Sequence, residues 1–124
     1  MIQNNKRILV ADDEPSILKI VPMILNMHNY HNITAVDNGK KALDELLNNH
    51  YDLYITDTHM PGLKGYEVIQ QYKASPKVNG TRFIAMSGNF DSSLNALYVS
   101  FGAALLSKPF LPNDLVSIVK SNIN

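Results

Sequence analysis

The chain is expected to fold as an α/β protein, a (βα)5 doubly wound, five-stranded parallel sheet with helices on both faces. Three observations lead there. Five short apolar runs alternate with five longer stretches of helical periodicity along 124 residues. The short runs read as apolar rather than alternating, as strands covered on both faces should. No repeat, linker or low-complexity segment divides them, so residues 1–124 read as one domain with one core.

The elements follow in order. "RILVAD" (Arg7 to Asp12) is the first strand, four apolar residues closed by charge. "EPSILKIVPMILNMHNY" has helical spacing, with Pro15 in the first turn, where a missing N–H is tolerated. Pro22 falls inside that helix; its ring clashes with the preceding turn and one hydrogen bond is lost, at about 3 kcal/mol. A kink or break is therefore expected near Leu18 to Val21. The same helix is apolar almost all round, with Lys19 and Asn26 nearly its only polar interruptions. Either Met23 and Met27 are adaptable core packing, or Ile20, Met23 and Met27 make an exposed docking patch.

"NITAV" (Asn32 to Val36) is the second strand, and "GKKALDELLNN" carries a one-sided stripe of Ala42, Leu43, Leu46 and Leu47. "YDLYITD" is the third strand, ending at Asp57. "GYEVIQQYKA" is a helix with Val68, Ile69 and Tyr72 on one side. "TRFIAMSG" (Thr81 to Gly88) is the fourth strand. "DSSLNALYVSFG" opens on capping Asp and Ser and stops at Gly102. "AALLSK" is the fifth strand. "LPNDLVSIVKSNI" is the last helix, with Pro112 in its first turn.

Composition narrows the function. The chain is 45% hydrophobic and 18% charged, with a formal net charge of zero. Nucleic acid and anionic membrane surfaces usually require a basic field, so neither is an expected partner. There is no cysteine, hence no disulfide framework and no thiolate chemistry. That suits a reducing cytoplasm, where the chain is expected. The N-terminal "MIQNNKRILVADDEP" reads as neither signal peptide nor membrane span.

In open α/β sheets, ligands sit beyond the carboxyl ends of the strands. Strand one ends at Asp12 and Asp13, strand three at Asp57, strand four at Ser87-Gly88, strand five at Ser107-Lys108-Pro109. Three carboxylates, a hydroxyl and an ammonium are thus expected on one sheet edge. Grouped carboxylates repel unless a cation or proton intervenes. Oxygen ligands without His or Cys select a hard cation, Mg²⁺ above all, which bridges carboxylate to phosphate.

With those residues in place, "ADDEP", "YDLYITDTHMPGLKGYEV", "FIAMSG" and "SKPF" resemble, in order and spacing, a response-regulator receiver (CheY-like) domain of two-component signal transduction. Each motif alone is weak; together they are specific and cover essentially the whole chain. The resemblance implies a flavodoxin-like sheet in the order 2-1-3-4-5. It implies Asp57 as phospho-acceptor, with Asp12, Asp13, Asp57 and the His59 backbone carbonyl holding Mg²⁺. It implies Lys108 as the charge-neutralising ammonium, Ser87 as the switch hydroxyl and Gly88 as room for a phosphoryl oxygen. The Lys108–Pro109 peptide bond would be cis. The implied partners are a histidine kinase or histidine phosphotransfer protein, and a downstream target met by the surface of the fourth helix, fifth strand and fifth helix. A homodimer is a further possibility.

Each residue also has a plainer explanation. Asp12 and Asp13 could end a strand and favour a helix dipole, Asp57 could serve a turn, Ser87 could be a loop hydroxyl and Lys108 a solvated lysine. Their joint placement favours the acceptor reading. The chain is expected to catalyse only its own phosphorylation and dephosphorylation. Two alternatives stay open: a small Mg²⁺-dependent aspartyl-nucleophile phosphohydrolase, and a receiver-like module that binds partners without phosphorylation. His28, His31 and His50 lack metal-ligand spacing. The His59 side chain, with Asn89, is expected to modulate the lifetime of the acyl phosphate. One departure from the family concerns the switch: Leu105 stands where many receivers carry an aromatic residue, in a fifth strand one residue shorter than usual.

Overall fold

The computed structural model describes residues 4–123, so any reading of residues 1–3 and 124 lies outside it. The five strands are β1 (Arg7–Ala11), β2 (Asn32–Val36), β3 (Leu53–Asp57), β4 (Arg82–Ser87) and β5 (Ala104–Ser107). The five helices are α1 (Pro15–Met27), α2 (Gly39–Asn48), α3 (Gly65–Lys73), α4 (Ser92–Ser100) and α5 (Pro112–Ile123). The strands pair in parallel in the order β2-β1-β3-β4-β5. Right-handed crossovers send β1 to β2 through α1 on one side, and β2 back past β1 to β3 through α2 on the other. The order therefore reverses between β1 and β3, the place where such sheets open a crevice.

Alternate residues of each strand face opposite layers. Ile8, Val10, Leu53, Ile55, Ile84, Met86 and Leu106 pack under α1 and α5, against Val21, Ile24, Leu25, Leu115 and Val119. Leu9, Ala11, Tyr54, Phe83 and Ala85 face α2, α3 and α4, against Ala42, Leu46, Val68, Ile69 and Tyr98. The central strands are buried on both faces, which is why they read as apolar runs. The edge strand β2 is only partly buried.

Local signals hold at the ends of α2 and α4. Asn38 caps α2 by accepting from the Lys41 N–H, and Asp91 caps α4 by accepting from the Leu94 N–H at 2.7 Å. Gly102 closes α4 at φ 78°, a conformation that suits glycine. The expected break in α1 does not occur: the helix runs continuously across Pro22. Val21, Ile24 and Leu25 are buried on both sides of the proline, so packing on the sheet keeps the helix continuous despite the lost hydrogen bond. The outer face of α1 is a surface: Ile20 is 41% exposed, Met23 52% and Met27 78%, which removes core packing as their role. No helix among the described residues is long and apolar enough to cross a membrane.

Candidate functional site

Register builds the site. Ala11 pairs with Thr56, so the next residues, Asp12 and Asp57, emerge side by side at the switch point. Asp57 pairs with Met86, and Ser87 pairs with Ser107, which aligns Lys108 just beyond the end of β4. The Lys108 N–H donates to the Ser87 carbonyl at 2.8 Å and fastens that strand end. The Lys108–Pro109 bond is cis, as expected. Behind β3, the first turn of α3 lies close against the sheet: a Cβ on Gly65 would fall 2.1 Å from the Asp57 carbonyl oxygen, so glycine is required there.

The side chains converge. Lys108 Nζ donates to Asp12 Oδ2 at 2.7 Å and lies 3.3 Å from Asp57 Oδ1. Asp12 is fully buried, and its other oxygen accepts from the Glu14 N–H at 3.0 Å. One oxygen from each of Asp12, Asp13 and Asp57 lies within 4.8 Å of the others. Asp13 is exposed and Asp57 largely covered, so the group opens to one side. Ser87 is buried, and its hydroxyl accepts from the Asn89 N–H at 3.1 Å. A Cβ on Gly88 would meet no atom within 4 Å, so space is free beside it.

Electrostatics follow from that crowding. Burial pushes the Asp57 carboxyl above its ordinary range, and the Asp12 charge adds to it, with Lys108 acting against both. Burial works to lower the Lys108 ammonium. Its hydrogen bond to Asp12 and the Asp57 charge outweigh that, and it is held above its ordinary value. Three carboxylates against one ammonium leave two negative charges in surplus. An all-oxygen set with that surplus fits a hard divalent cation.

His59 is exposed, and its side chain and Asn89 line one open groove with Tyr66 and Asp91. Leu105 is half-buried on the α4 side of the sheet. Sequence reading missed two residues. Thr58, directly after Asp57, is fully buried, and its Oγ1 lies 3.0 Å from the hydroxyl of Tyr98, also fully buried. The available signal was Tyr98 itself, a tyrosine one turn after Leu94 in α4, which reads as stripe residue and hydroxyl donor alike.

The chain is similar in sequence and fold to known proteins. The family model described as response regulator receiver domain matches residues 8–120. Chemotaxis protein CheV1 of Helicobacter pylori is 35% identical over 124 residues, covering 96% of this chain and 38% of CheV1. Transcriptional regulatory protein ResD of Bacillus subtilis is 32% identical over 119 residues, covering 95% of this chain and 48% of ResD. The chain thus spans about half, or less, of the length of these relatives. Among solved structures, a CheY-like receiver domain protein from Methanospirillum hungatei has a TM-score of 0.87 at 26% identity, covering 97% of this chain and 94% of its own. Chemotaxis response regulator CheY4 of Vibrio cholerae shares the fold, with a TM-score of 0.86 at 23% identity over 95% of this chain and 98% of its own.

Proposed function

The chain belongs to the response regulator receiver family, the phosphorylatable switches of two-component systems, and we propose that Asp57 is its phosphoryl acceptor. One observation carries this reading: Lys108 Nζ is held between Asp12 and Asp57 at the open end of β3. A partly buried ammonium there can neutralise charge that develops on a transferring phosphoryl group.

The proposed step is an in-line displacement. A carboxylate oxygen of Asp57 attacks phosphorus as the bond to the donor nitrogen of a phosphohistidine breaks. The electron pair leaves with the imidazole, and an acyl phosphate remains on Asp57. Water reverses the state by attacking phosphorus: the P–O bond to Asp57 breaks, its electron pair returns to the carboxylate, and inorganic phosphate departs. Asp12, Asp13, Asp57 and the His59 carbonyl would hold Mg²⁺. When bound, the ion would neutralise the surplus charge and stabilise charge that develops on the phosphoryl group. Asp12 anchors Lys108 so that its charge points at Asp57. Ser87 moves to bond a phosphoryl oxygen, with Gly88 leaving the space. His59 and Asn89, on one groove beside the acceptor, limit the approach of water and set the lifetime of the acyl phosphate.

Two surfaces serve partners. The exposed Ile20, Met23 and Met27 face of α1 continues into a groove of Ile17, Ile24, Pro109 and Phe110 that reaches Lys108. We assign it to the phosphodonor, a histidine kinase or phosphotransfer helix. The surface of α4, β5 and α5, where Val99 is 62% exposed, meets the target.

Acetyl phosphate with Mg²⁺, read by intact mass, tests the reading. The chain gains one phosphoryl group and Asp57→Asn gains none. Equal gain in both would overturn Asp57 as acceptor. Turnover of a generic phosphomonoester would instead favour a phosphohydrolase.

A further inference from the structure

The core holds little of α4. Of its nine residues, Ser92–Ser100, Tyr98 is the buried one; Leu94, Asn95 and Leu97 are half-buried and the others exposed. Tyr98 is thus the one fully buried anchor of this helix, with Leu94 packing beside it in part. The Tyr98 ring sits edge-on to Tyr66 of α3 at 6.3 Å and to Phe90 at 6.2 Å.

Its hydroxyl reaches the acceptor strand. Burial holds the Tyr98 phenol up to about 12, so it stays protonated and can donate to Thr58 Oγ1, 3.0 Å away. Thr58 Oγ1 in turn donates to the Met86 carbonyl at 3.3 Å, and the Thr58 N–H donates to the same oxygen at 3.2 Å. Met86 pairs with Asp57 across the sheet and directly precedes Ser87. One buried chain of contacts thus joins α4 to both strand ends of the site, and it does not pass through Leu105. A second observation sits one turn earlier on α4. Asn95 Oδ1 is buried and has no hydrogen-bond partner among the described residues. A buried acceptor left unmade is unfavourable, so a small displacement of α4 that wets this atom offsets the loss of another bond.

We propose that Tyr98 is a positioning residue: through Thr58 it holds α4 in its resting place, and phosphorylation of Asp57 releases the helix by drawing Ser87 and the Met86 carbonyl away from this pair. Tyr98 thereby supplies the aromatic coupling for which Leu105 is unsuited. The inference rests on the reading of Asp57 as acceptor. A link acts as a switch only if it differs between the two states. A hydroxyl pair made in the resting state alone therefore biases the equilibrium by about fivefold.

The chain has no cysteine, so Ala96→Cys on the exposed side of α4 accepts a single trifluoromethyl label for fluorine NMR. Acetyl phosphate with Mg²⁺ defines the resting and phosphorylated positions of the resonance, and intact mass on the same sample reports uptake. In the unphosphorylated chain, Tyr98→Phe moves the resonance toward the phosphorylated position, with the population ratio raised about fivefold. Thr58→Val moves it the same way, and the double variant moves it no further than the larger single change. A resonance that stays at the resting position in both variants, or only broadens as melting falls, overturns the proposal. If uptake proceeds normally and the label is indifferent, this inference alone fails. If the parent chain takes up no phosphoryl group, the acceptor reading fails and this inference with it.

Discussion

Lys108 answers to two carboxylates, and its removal should be felt in both. Asp12 is fully buried, with Lys108 as its charged partner at 2.7 Å. Truncating one member of such a pair leaves the other charge uncompensated. Lys108→Ala should therefore lower stability by about 2–3 kcal/mol in chemical denaturation. Millimolar Mg²⁺ should restore part of that loss, because it compensates the same surplus. Asp13 is exposed, so Asp13→Ala should leave metal-free stability nearly unchanged yet abolish the rise in melting temperature that Mg²⁺ gives. That rise amounts to about 2.7 kcal/mol at a concentration a hundredfold above Kd. A full Mg²⁺ shift in Asp13→Ala would exclude Asp13 as a ligand. The convergence of Asp12, Asp13, Asp57, Ser87 and Lys108 is legible in sequence because each follows an apolar run, and strand ends of a parallel sheet share an edge. The Tyr98–Thr58 link is not legible. It depends on the angle at which α4 crosses the sheet, and no local pattern encodes that angle.

At the scale of elements, α1 shows how packing overrides a local rule. Proline inside a helix usually breaks it, yet α1 continues because Val21, Ile24 and Leu25 are buried on both sides of Pro22. Propensity is visible in sequence; the burial that outweighs it is not. The apolar outer face of α1 was ambiguous for the same reason, since periodicity gives a stripe but not its cover. With Met23 and Met27 more than half exposed, Met23→Asp with Met27→Asp should leave melting within about 1 kcal/mol of the parent, as surface changes do. Uptake from acetyl phosphate should also persist. Transfer from a phosphorylated histidine donor should slow at least tenfold, the loss of about 1.4 kcal/mol of docking. Unchanged transfer would remove α1 as the donor surface.

At the scale of the whole molecule, the buried tyrosines set alkaline stability. Both Tyr54 and Tyr98 are fully buried, which holds Tyr98 up to about 12 and Tyr54 higher still, against an ordinary value of 10.0. Between those values the folded chain binds more protons than the unfolded one. Stability is therefore intact below pH 10 and falls as pH rises toward 12, by about 1.4 kcal/mol per pH unit for each tyrosine. Tyr98→Phe should flatten that decline in urea titrations at successive pH values; an unchanged slope would contradict the burial of its hydroxyl. The same tightly packed sheet is what presents Asp57 at an open edge with Lys108 beside it, and on this the account depends. The most direct test is to phosphorylate the chain with acetyl phosphate and Mg²⁺, trap the acyl phosphate with borohydride, and map the reduced residue by tandem mass spectrometry. Homoserine should appear at position 57. Homoserine at position 12 or 13, or none despite phosphoryl uptake, would contradict it.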